Sequence, residues 1–201
     1  MDLAENIFPI LEEQFAAKRE LKDKWGLTVV VSKTYLHPVV EFLKNEAPVK
    51  MEMLVDIAGV DFLGYKDYEG PRFAVKYVFK SISQPGARMQ LKVFVSEDDL
   101  TVPTISDLYG IANWQEREVY DQFGVVFKGH PDLRRILNHV EFVGHPLRKD
   151  YPAQKRQWLS TNDFMLPELE KRLETLGYKV IQRSKEVGTN DNEFLEGSIK
   201  G

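Results

Sequence analysis

The chain has 201 residues, an apolar share of 43% and a formal net charge of −4. That is enough for one domain with a hydrophobic core plus an extension. A slightly acidic chain lacks the basic excess typical of nucleic-acid binders. The sequence contains no cysteine, which excludes disulfides, zinc–thiolate sites and cysteine-ligated iron–sulfur clusters within it.

Membrane insertion is not expected from the hydropathy pattern. No apolar run approaches the roughly 18 residues that a membrane-spanning helix needs. The acidic start, residues 1–6, lacks the basic-then-apolar order of a signal peptide. We therefore expect a soluble chain that stays on the side where it is made and reaches a membrane only through a partner.

The first elements alternate between helix and strand. Apolar residues at helical spacing predict a first helix: Leu3, Ile7, Leu11 and Phe15. Asp2 and Glu5 are spaced as a capping box, and a start at Asn6 would place Pro9 in the first turn, where proline is tolerated. The β-branched run Leu27–Val31 predicts a short strand.

A second helix is expected after Ser32, which is a good N-cap residue. Its apolar positions are Leu36, Val39, Val40 and Leu43. Pro38 indicates that the regular part of this helix starts late.

Three strands follow, each with period-two alternation. The predicted inward residues are Met51, Met53, Val55 and Ile57 in the first, Phe73, Val75, Tyr77 and Phe79 in the second, and Met89, Leu91, Val93 and Val95 in the third. This alternation predicts one buried and one wet face, as in an antiparallel sheet covered by helices on one side.

A third helix is predicted over residues 105–123, with Thr104 as N-cap and Asp107 completing a capping box. At about 100° per residue, one side should face the core: Leu108, Ile111, Ala112, Val119 and Phe123. Trp114, Arg117 and Asp121 then share the outward side.

Two interpretations compete for this outward side. Arg117 and Asp121 at i,i+4 spacing are typical of a solvated helix pair that contributes little. Trp beside Arg, in contrast, is the composition of a protein–protein hot spot. We favour an interface, because large aromatic side chains are not usually left alone in water.

The element order predicts a two-layer α+β domain, with a largely antiparallel or mixed sheet and helices on one face. We place this domain at residues 1–127. Residues 128–152 form a Gly-His-Pro loop, and residues 153–201 form an extended C-terminal segment. In that segment Leu166, Leu169, Leu173 and Leu176 predict an amphipathic helix that Gly177 stops. Beyond Ser184 the polar composition predicts a segment that is disordered or ordered only against a partner.

The 128–152 loop is long enough to suggest a function, and it is net basic. Its charged residues are Lys128, Arg134, Arg135, Arg148 and Lys149 against Asp132, Glu141 and Asp150. A solvated charge run is the ordinary interpretation. We favour ion pairs with another chain, because arginine forks suit carboxylates.

Catalytic and metal chemistry find little support. His130, His139 and His145 lie near acidic residues, but no local ligand pair occurs, so structural hydrogen bonds are favoured over a metal. Glu116 and Glu118 are about 200° apart on a helix and cannot flank one substrate. We expect Glu116 to pair with a basic residue of the loop. Nucleophile elbows and phosphate-binding glycine motifs are absent from the sequence.

Three blocks, in this order and spacing, carry a resemblance to a known family: Glu116–Asp121 (EREVYD), Gly129–Leu137 (GHPDLRRIL) and Gly144–Pro152 (GHPLRKDYP). They resemble the signature of the 30 kDa subunit of respiratory complex I, which is the C subunit of bacterial NADH:quinone oxidoreductase. The signature covers about a fifth of the chain, which is less than a domain.

The resemblance implies a structural subunit without catalytic residues, metal or cofactor of its own. FMN and iron–sulfur clusters are then expected in partner subunits. The implied partners are the quinone-cavity (D) subunit and the terminal iron–sulfur (B) subunit, with no nucleic acid, at the cytoplasmic face of the inner membrane. We assign the following residues to the partner interface: Trp114, Glu116, Arg117, Glu118, Asp121, His130, Asp132, Arg134, Arg135, His145, Arg148, Lys149, Asp150 and Tyr151.

Two alternatives stay open. Related membrane-bound hydrogenases and complexes with other electron donors use similar subunits, and the sequence does not identify the donor or the quinone. A stand-alone enzyme or phosphate-binding module that uses the His/Arg loop is the alternative from a different class.

Overall fold

The computed structural model describes residues 6–20, 26–154, 157, 160 and 162–178. The predicted capping box of Asp2 and Glu5 and the polar segment beyond Ser184 lie outside these residues. The chain divides into a larger unit, Met1–Asn138 with His145–Asp150, and a smaller unit, His139–Gly144 with Tyr151–Gly201. The boundaries after residues 127 and 152 stay predictions.

The described elements follow one another in chain order. They are α1 Phe8–Phe15, β1 Lys18–Arg19, β2 Leu27–Val30, a 3-10 helix Lys33–Tyr35, α2 Leu36–Asn45, β3 Met53–Asp61, β4 Phe73–Lys80, β5 Arg88–Val95, β6 Thr101–Pro103, α3 Ala112–Phe123, β7 Val126–Lys128 and α4 Asn162–Thr175. All except α4 belong to the larger unit.

The main sheet has five strands in the order β1-β2-β5-β4-β3. Strand β2 runs parallel to β5, and the other pairs are antiparallel. A second sheet consists of the parallel strands β6 and β7. Alternate residues of β4 and β5 form one buried cluster with apolar residues of α1, α2 and α3. This confirms the predicted α+β class with a mixed sheet.

The alternation predicted for β3 is confirmed only in part. Met51, just before the strand, and Ile57 are buried as predicted, whereas Met53 and Val55 are 45% and 42% exposed and Leu54 is buried instead. The pairing of β3 with β4 shifts register between Leu54 and Asp56. One extra residue in a strand moves the following side chains to the other face, so period-two counting through the bulge assigns the wrong residues to the core.

The face of β4 and β5 that was predicted to contact solvent is more buried than expected. The expected inward residues of both strands are buried, but so are Ala74, Gln90 and Lys92. The Lys92 ammonium forms an ion pair with Glu20 at 2.5 Å and lies 5.6 Å from the Phe94 ring centroid. A lysine can be buried in this way because its charge is neutralised while its stem packs on apolar surface.

Proline positions are as predicted in both N-terminal helices. Pro9 lies in the first turn of α1, and Pro38 lies in the first turn of α2, which follows the 3-10 helix. The predicted cap is wrong, because Ser32 makes no side-chain capping hydrogen bond.

Helix α3 begins at Ala112, seven residues later than predicted, with Ile111 at the N-cap position. Turns occupy residues 106–108 and 110–111. Thr104 and Asp107 do not form a capping box: Asp107 lies 2.8 Å from the His37 ring. The Ile105 backbone N–H donates to the Glu116 carboxylate at 2.8 Å. In a helix that started at residue 105, this N–H would have no intrahelical partner. Here the Glu116 carboxylate, from within α3, accepts its hydrogen bond instead.

Gly177 ends α4 as predicted. Its φ angle is +82°, and its backbone N–H donates to the Glu174 carbonyl oxygen at 2.9 Å. The next N–H, that of Tyr178, donates to the Leu173 carbonyl oxygen at 3.0 Å. This pair of bonds is the Schellman motif, for which glycine is preferred because it adopts positive φ without strain.

Candidate partner interface

Helix α3 presents most of the face that its periodicity predicts, with two exceptions. Ala112 and Val119 are buried and Trp114 is 57% exposed, as expected. Ile111 is 50% exposed and the Asp121 residue is fully buried, so both of these placements are wrong. The helix starts at Ala112, which leaves Ile111 outside it. The loop that follows β7 covers Asp121, and a helical wheel contains no information about a later segment.

The buried Asp121 carboxylate organises this loop. Its Oδ2 accepts the backbone N–H groups of Ile136, Leu137 and Asn138 at 3.1, 2.8 and 2.8 Å. Its Oδ1 accepts a guanidinium N–H of Arg135 at 2.6 Å and the Asn138 side-chain amide at 3.0 Å. Five donors converge on one carboxylate, so the loop is built around it.

The charge state of Asp121 follows from these contacts. Burial by itself raises the pKa of the carboxyl group, but the hydrogen bonds from Asn138, Arg135 and Leu137 outweigh burial and hold the pKa at about 2. The Arg135 side chain is only 16% exposed, and its guanidinium also donates to the Asp121 carbonyl oxygen at 3.2 Å. The first and second signature blocks are therefore joined by a buried, hydrogen-bonded charge pair.

Arg117 contacts the same loop rather than Asp121. Its Nε donates to the Arg134 carbonyl oxygen at 3.1 Å, and its Nη2 lies 3.5 Å from the Arg135 carbonyl oxygen. The guanidinium carbon is 5.3 Å from the Trp114 ring centroid, in cation–π range. The solvated i,i+4 pair with Asp121, which was the less favoured interpretation of this side, is not among the contacts that the structure describes for Arg117. The predicted neighbourhood of Trp114 and Arg117 is confirmed.

The loop charges are largely matched within the chain. Arg134 makes a two-point ion pair with Asp132, both bonds being 2.7 Å long, and these side chains are 74% and 44% exposed. Arg148 donates to the Phe123 carbonyl oxygen at 2.7 Å and lies 5.2 Å from the Phe73 ring centroid. Among these arginines, Arg134 is thus the one whose charged group faces solvent.

His145 closes the C-terminal end of α3. Its Nδ1 lies 2.9 Å from the Asp121 carbonyl oxygen and donates to it. Burial lowers the pKa of His145 below its usual value, so the ring is neutral near pH 7. Gly124, at φ +80°, allows the close approach, because a Cβ there would lie 2.5 Å from Arg148 Nη2 and 2.6 Å from His145 Nε2.

Two residues outside the signature, Asp61 and Arg72, hold its third block. Arg72 contacts Asp61 with two N–H groups at 3.0 Å each, Glu97 at 2.5 Å and Asp150 at 2.8 Å. The Lys149 backbone N–H donates to Asp61 Oδ2 at 2.9 Å. Burial tends to raise the pKa of Asp61, but Arg72 and the backbone amides lower it overall.

Sequence reasoning missed this network. Its one available signal was a charged residue at each inner end of the β3–β4 hairpin. Asp61 ends β3 and pairs in register with Phe73, which places the preceding Arg72 beside it. The contact between Asp61 and Lys149 joins residues that are 88 positions apart in the sequence. Local periodicity contains no information about contacts at such a separation.

Glu116 is buried. Within the part of the chain that the structure describes, its neighbour from the loop is a histidine and not a lysine or arginine, so the predicted pairing with a basic loop residue is met only by His130. Its carboxylate accepts the Thr104 hydroxyl at 2.5 Å and the Ile105 N–H at 2.8 Å. His130 Nε2 is 4.0 Å away. Burial raises the pKa of Glu116 to about 7.

Tyr151 belongs to the smaller unit. Its ring stacks on Phe142 with the centroids 5.9 Å apart, and its hydroxyl accepts the Gln157 side-chain amide at 2.9 Å. Gly144, at φ +97°, leaves room for the ring, since a Cβ there would lie 2.9 Å from Tyr151. Of the remaining assigned residues, Glu118 and Lys149 are exposed. Across residues 6–20, 26–154, 157, 160 and 162–178, no cluster of three or more His, Asp or Glu side chains is arranged to hold a metal ion.

Comparison with known proteins decides the family. The model of the family described as "Respiratory-chain NADH dehydrogenase, 30 Kd subunit" matches residues 29–157. The chain belongs to this family. The C subunit of NADH-quinone oxidoreductase from Methylibium petroleiphilum is 41% identical over 154 residues, which cover 72% of this chain and 75% of that protein. The corresponding protein of Burkholderia mallei is 45% identical over 130 residues, which cover 63% of this chain and 64% of that protein.

Two solved structures share the fold of this chain. A trypsin-resistant fragment (1–134) of Nqo5 has a TM-score of 0.55 and 35% sequence identity, and the match covers 64% of this chain and 98% of the fragment. A chain of the membrane-bound sulfane sulfur reductase, an archaeal respiratory membrane complex, has a TM-score of 0.60 at 22% identity, and the match covers 90% of this chain and 96% of that one. The second likeness shows a shared fold. None of the described helices of this complex I 30 kDa family member is long and apolar enough to cross a membrane.

On this family member, one exposed apolar area stands out beside α3. We call it the Trp114 surface and define it as Ile111, Trp114, Arg117 and Leu137. Ile111, Trp114 and Leu137 are 50%, 57% and 64% exposed. The Leu137 backbone is held by Asp121, one turn along α3 from Arg117.

Proposed function

We propose that this chain is a cofactor-free structural subunit of the peripheral arm of NADH:quinone oxidoreductase. It holds the quinone-reducing module together by binding the quinone-cavity subunit and the terminal iron–sulfur subunit at the cytoplasmic face of the inner membrane. The assembly passes electrons from NADH through FMN and iron–sulfur centres to quinone and couples this to proton translocation. The redox groups belong to the partner subunits, and this sequence has no cysteine to ligate such a cluster.

The observation that carries the proposal is the Trp114 surface. It combines large exposed apolar side chains with an arginine, which is the composition of interface hot spots. Its backbone is fixed in advance by the buried Asp121 carboxylate and by the two carbonyl contacts of Arg117. A rigid surface loses little conformational entropy when a partner binds.

The phosphate-binding alternative receives less support from the geometry. Phosphate sites require several cationic or N–H donors that converge on one empty position. Here Arg134 bonds to Asp132, Arg135 bonds to Asp121, and Arg148 bonds to a backbone carbonyl oxygen. The loop arginines thus point to different internal partners.

The experiment is to assemble the complex with substituted forms of this chain. Trp114→Ala and Arg134→Ala should each reduce the amount of chain that co-purifies with the two proposed partner subunits and migrates in the arm on native gels. Tyr65→Ala is the matched control, because Tyr65 is an aromatic residue that is 69% exposed outside the Trp114 surface. Normal assembly of both variants would overturn the interface assignment.

Arg148→Ala is a poorer test than the signature suggests. Its guanidinium bonds to the Phe123 carbonyl oxygen and packs on Phe73, so the substitution weakens the fold of the chain as well as any contact with a partner.

Affinity purification at low salt, followed by identification of the co-purifying chains, tests the electron donor. A flavin- and nicotinamide-binding subunit among them supports NADH, and its replacement by a hydrogenase subunit overturns that part of the proposal.

A further inference from the structure

Glu116 is a buried carboxyl group surrounded by groups that disfavour its negative charge. Its side chain is fully buried. Its carboxylate has two neutral donors, the Thr104 hydroxyl and the Ile105 N–H, and no lysine or arginine among the described residues forms an ion pair with it. Burial of an ionised carboxylate without a cation is unfavourable, and such a group tends to hold a proton instead.

The titratable groups that face Glu116 from other elements do not supply a positive charge. His130 follows β7, and its Nδ1 accepts the Asp132 backbone N–H at 3.0 Å. Its proton is therefore on Nε2, which points to the Asn113 carbonyl oxygen at 3.0 Å, and the ring is neutral.

Two further titratable groups, Asp107 and Tyr77, interact with Glu116, and neither supplies a positive charge. The negative charge of Asp107, in the turns before α3, raises the pKa of Glu116 further, in addition to the larger effect of burial. Tyr77 of β4 is fully buried and its hydroxyl has no hydrogen-bond partner in the described part of the chain. Each facing group thus either opposes ionisation of Glu116 or is neutral.

Thr104 connects this buried carboxyl group to the surface. Its Oγ1 lies 2.5 Å from Glu116 Oε2 and 2.8 Å from Ser106 Oγ, and it accepts the Ser106 backbone N–H at 3.1 Å. Ser106 is half-buried, so the series of hydroxyl groups extends from a fully buried oxygen to a residue with access to water.

One hydroxyl hydrogen on Thr104 allows two complete hydrogen-bond patterns. When Glu116 is ionised, Thr104 donates to its Oε2. When Glu116 is protonated, the carboxyl O–H donates to Thr104 Oγ1, and Thr104 donates to Ser106 Oγ. The side-chain oxygens of Glu116 and Thr104 keep a partner in both patterns, so gain of a proton requires no movement of a heavy atom.

The geometry points to a proton-binding site at Glu116 that exchanges its proton with solvent through the hydroxyl groups of Thr104 and Ser106. During uptake, Ser106 Oγ receives a proton from water and its own hydrogen moves to Thr104 Oγ1. The original Thr104 hydrogen moves to Glu116 Oε2. One proton enters, one negative charge is neutralised and both hydroxyls are restored. The site belongs to the isolated chain and does not depend on assembly.

The equilibrium is tested on the full-length chain labelled with carbon-13 at the glutamate side-chain carboxyl groups. Glu116→Gln identifies the resonance, and Glu118→Gln, an exposed neighbour on α3, is the matched control that leaves the resonance in place. We expect the Glu116 resonance to titrate with a midpoint near neutral pH. A midpoint in the ordinary acidic range of glutamate overturns the proposal of a proton-binding site. Should Glu116→Gln not fold, Thr104→Val keeps the test decisive. This substitution removes a hydrogen bond from both forms of Glu116, but the bond to the ionised form is stronger because it is charge-assisted, so the midpoint of one glutamate must move upward.

The path is tested by its rate. After a rapid pH jump, the carboxyl infrared band that Glu116→Gln removes reports proton uptake. We expect Ser106→Ala to slow uptake severalfold and to leave the midpoint unchanged, a combination that a purely structural role does not produce. An unchanged rate, or a midpoint that moves into the acidic range, overturns the path.

Discussion

Helix α3 carries two fully buried carboxylates, Glu116 and Asp121, in opposite electrostatic surroundings. Asp121 is matched by Arg135 and by three backbone amides, and its pKa falls to about 2. Glu116 has neutral donors only, and its pKa rises to about 7. Burial raises the pKa in both cases, so the supply of donors and of a nearby cation decides the sign of the shift. Asp121 is therefore permanently charged near neutral pH and holds the loop, whereas the charge of Glu116 depends on pH.

The largest expected effect tests the permanent charge. Asp121→Ala should lower the free energy of unfolding by about 4 kcal/mol at pH 7, because it leaves the Arg135 cation buried and unpaired. Urea denaturation measures the loss, and hydrogen exchange should show faster exchange of the amides of residues 136–138. Asp132→Ala is the control, since its pair with Arg134 is exposed and its loss should be much smaller. Equal losses in the two variants would contradict the organising role of Asp121.

The second prediction tests the pH-dependent site. Glu116 has a folded-state pKa of about 7 against an ordinary value of 4.5, so the folded state binds more protons between these values. The stability that Glu116 contributes is therefore fully present below pH 4.5 and falls as the pH rises towards 7, by up to roughly 3 kcal/mol. The lowered pKa of Asp121 has the opposite sign, and its contribution is present above pH 3.8 and lost as the pH falls to about 2.

Glu116→Gln separates these two contributions. The variant should be more stable than the parent at pH 8 and should lose most of the slope between pH 5 and pH 8, as measured by urea denaturation at each pH. Glu118→Gln, on the exposed side of the same helix, should keep the slope of the parent chain. A Glu116→Gln variant that retains the parent slope would refute the assignment.

A third, smaller effect concerns the network around Arg72, which holds the third signature block. Arg72→Lys should cost about 2 kcal/mol, because an ammonium group cannot reproduce the two-point contact with Asp61 and the further contacts with Glu97 and Asp150. The Lys149 amide, which donates to Asp61, should exchange faster. Arg88→Lys is the control at an exposed position of β5, and a comparable loss there would argue against the bidentate contact as the cause.

The smallest expected effect on folding is at the solvent-facing arginine. Arg134→Ala should leave the urea midpoint of the isolated chain within experimental error, because an exposed ion pair contributes little. The same variant should assemble poorly with the quinone-cavity and terminal iron–sulfur subunits. Asp132→Ala, which removes its partner but keeps the guanidinium, distinguishes loss of the internal pair from loss of a contact with another chain.

Much of the fold could be predicted from local pattern. The spacing of Phe73, Val75, Tyr77 and Phe79 located β4, the corresponding residues located β5, and Gly177 located the end of α4. The bulge in β3 could not be predicted, because nothing in the local sequence of a strand marks the residue that the neighbouring strand leaves unpaired. The start of α3 was missed for a related reason. Thr104 and Asp107 have the spacing of a capping box, but the competing partner of Ile105 is Glu116, eleven residues further on.

The candidate site shows the same division. The three signature blocks identified the family, and helical periodicity located Trp114 on the exposed side of α3. Asp121 and Arg117 were expected to face a partner chain from the outward side of the helix, but each contacts the loop of its own chain instead. Asp61 and Arg72 were not recognised at all.

The sequence by itself determined the α+β class, most element positions and the family of this chain, because hydrophobic period and motif order are local properties of the chain. The tertiary structure alone decided which charged residues are buried and which partner each one has. The pKa of a carboxyl group depends on donors and cations that arrive from distant segments, and helical spacing contains no record of them. For this reason two acidic residues five positions apart, equally polar in the sequence, have opposite electrostatic roles in the folded protein.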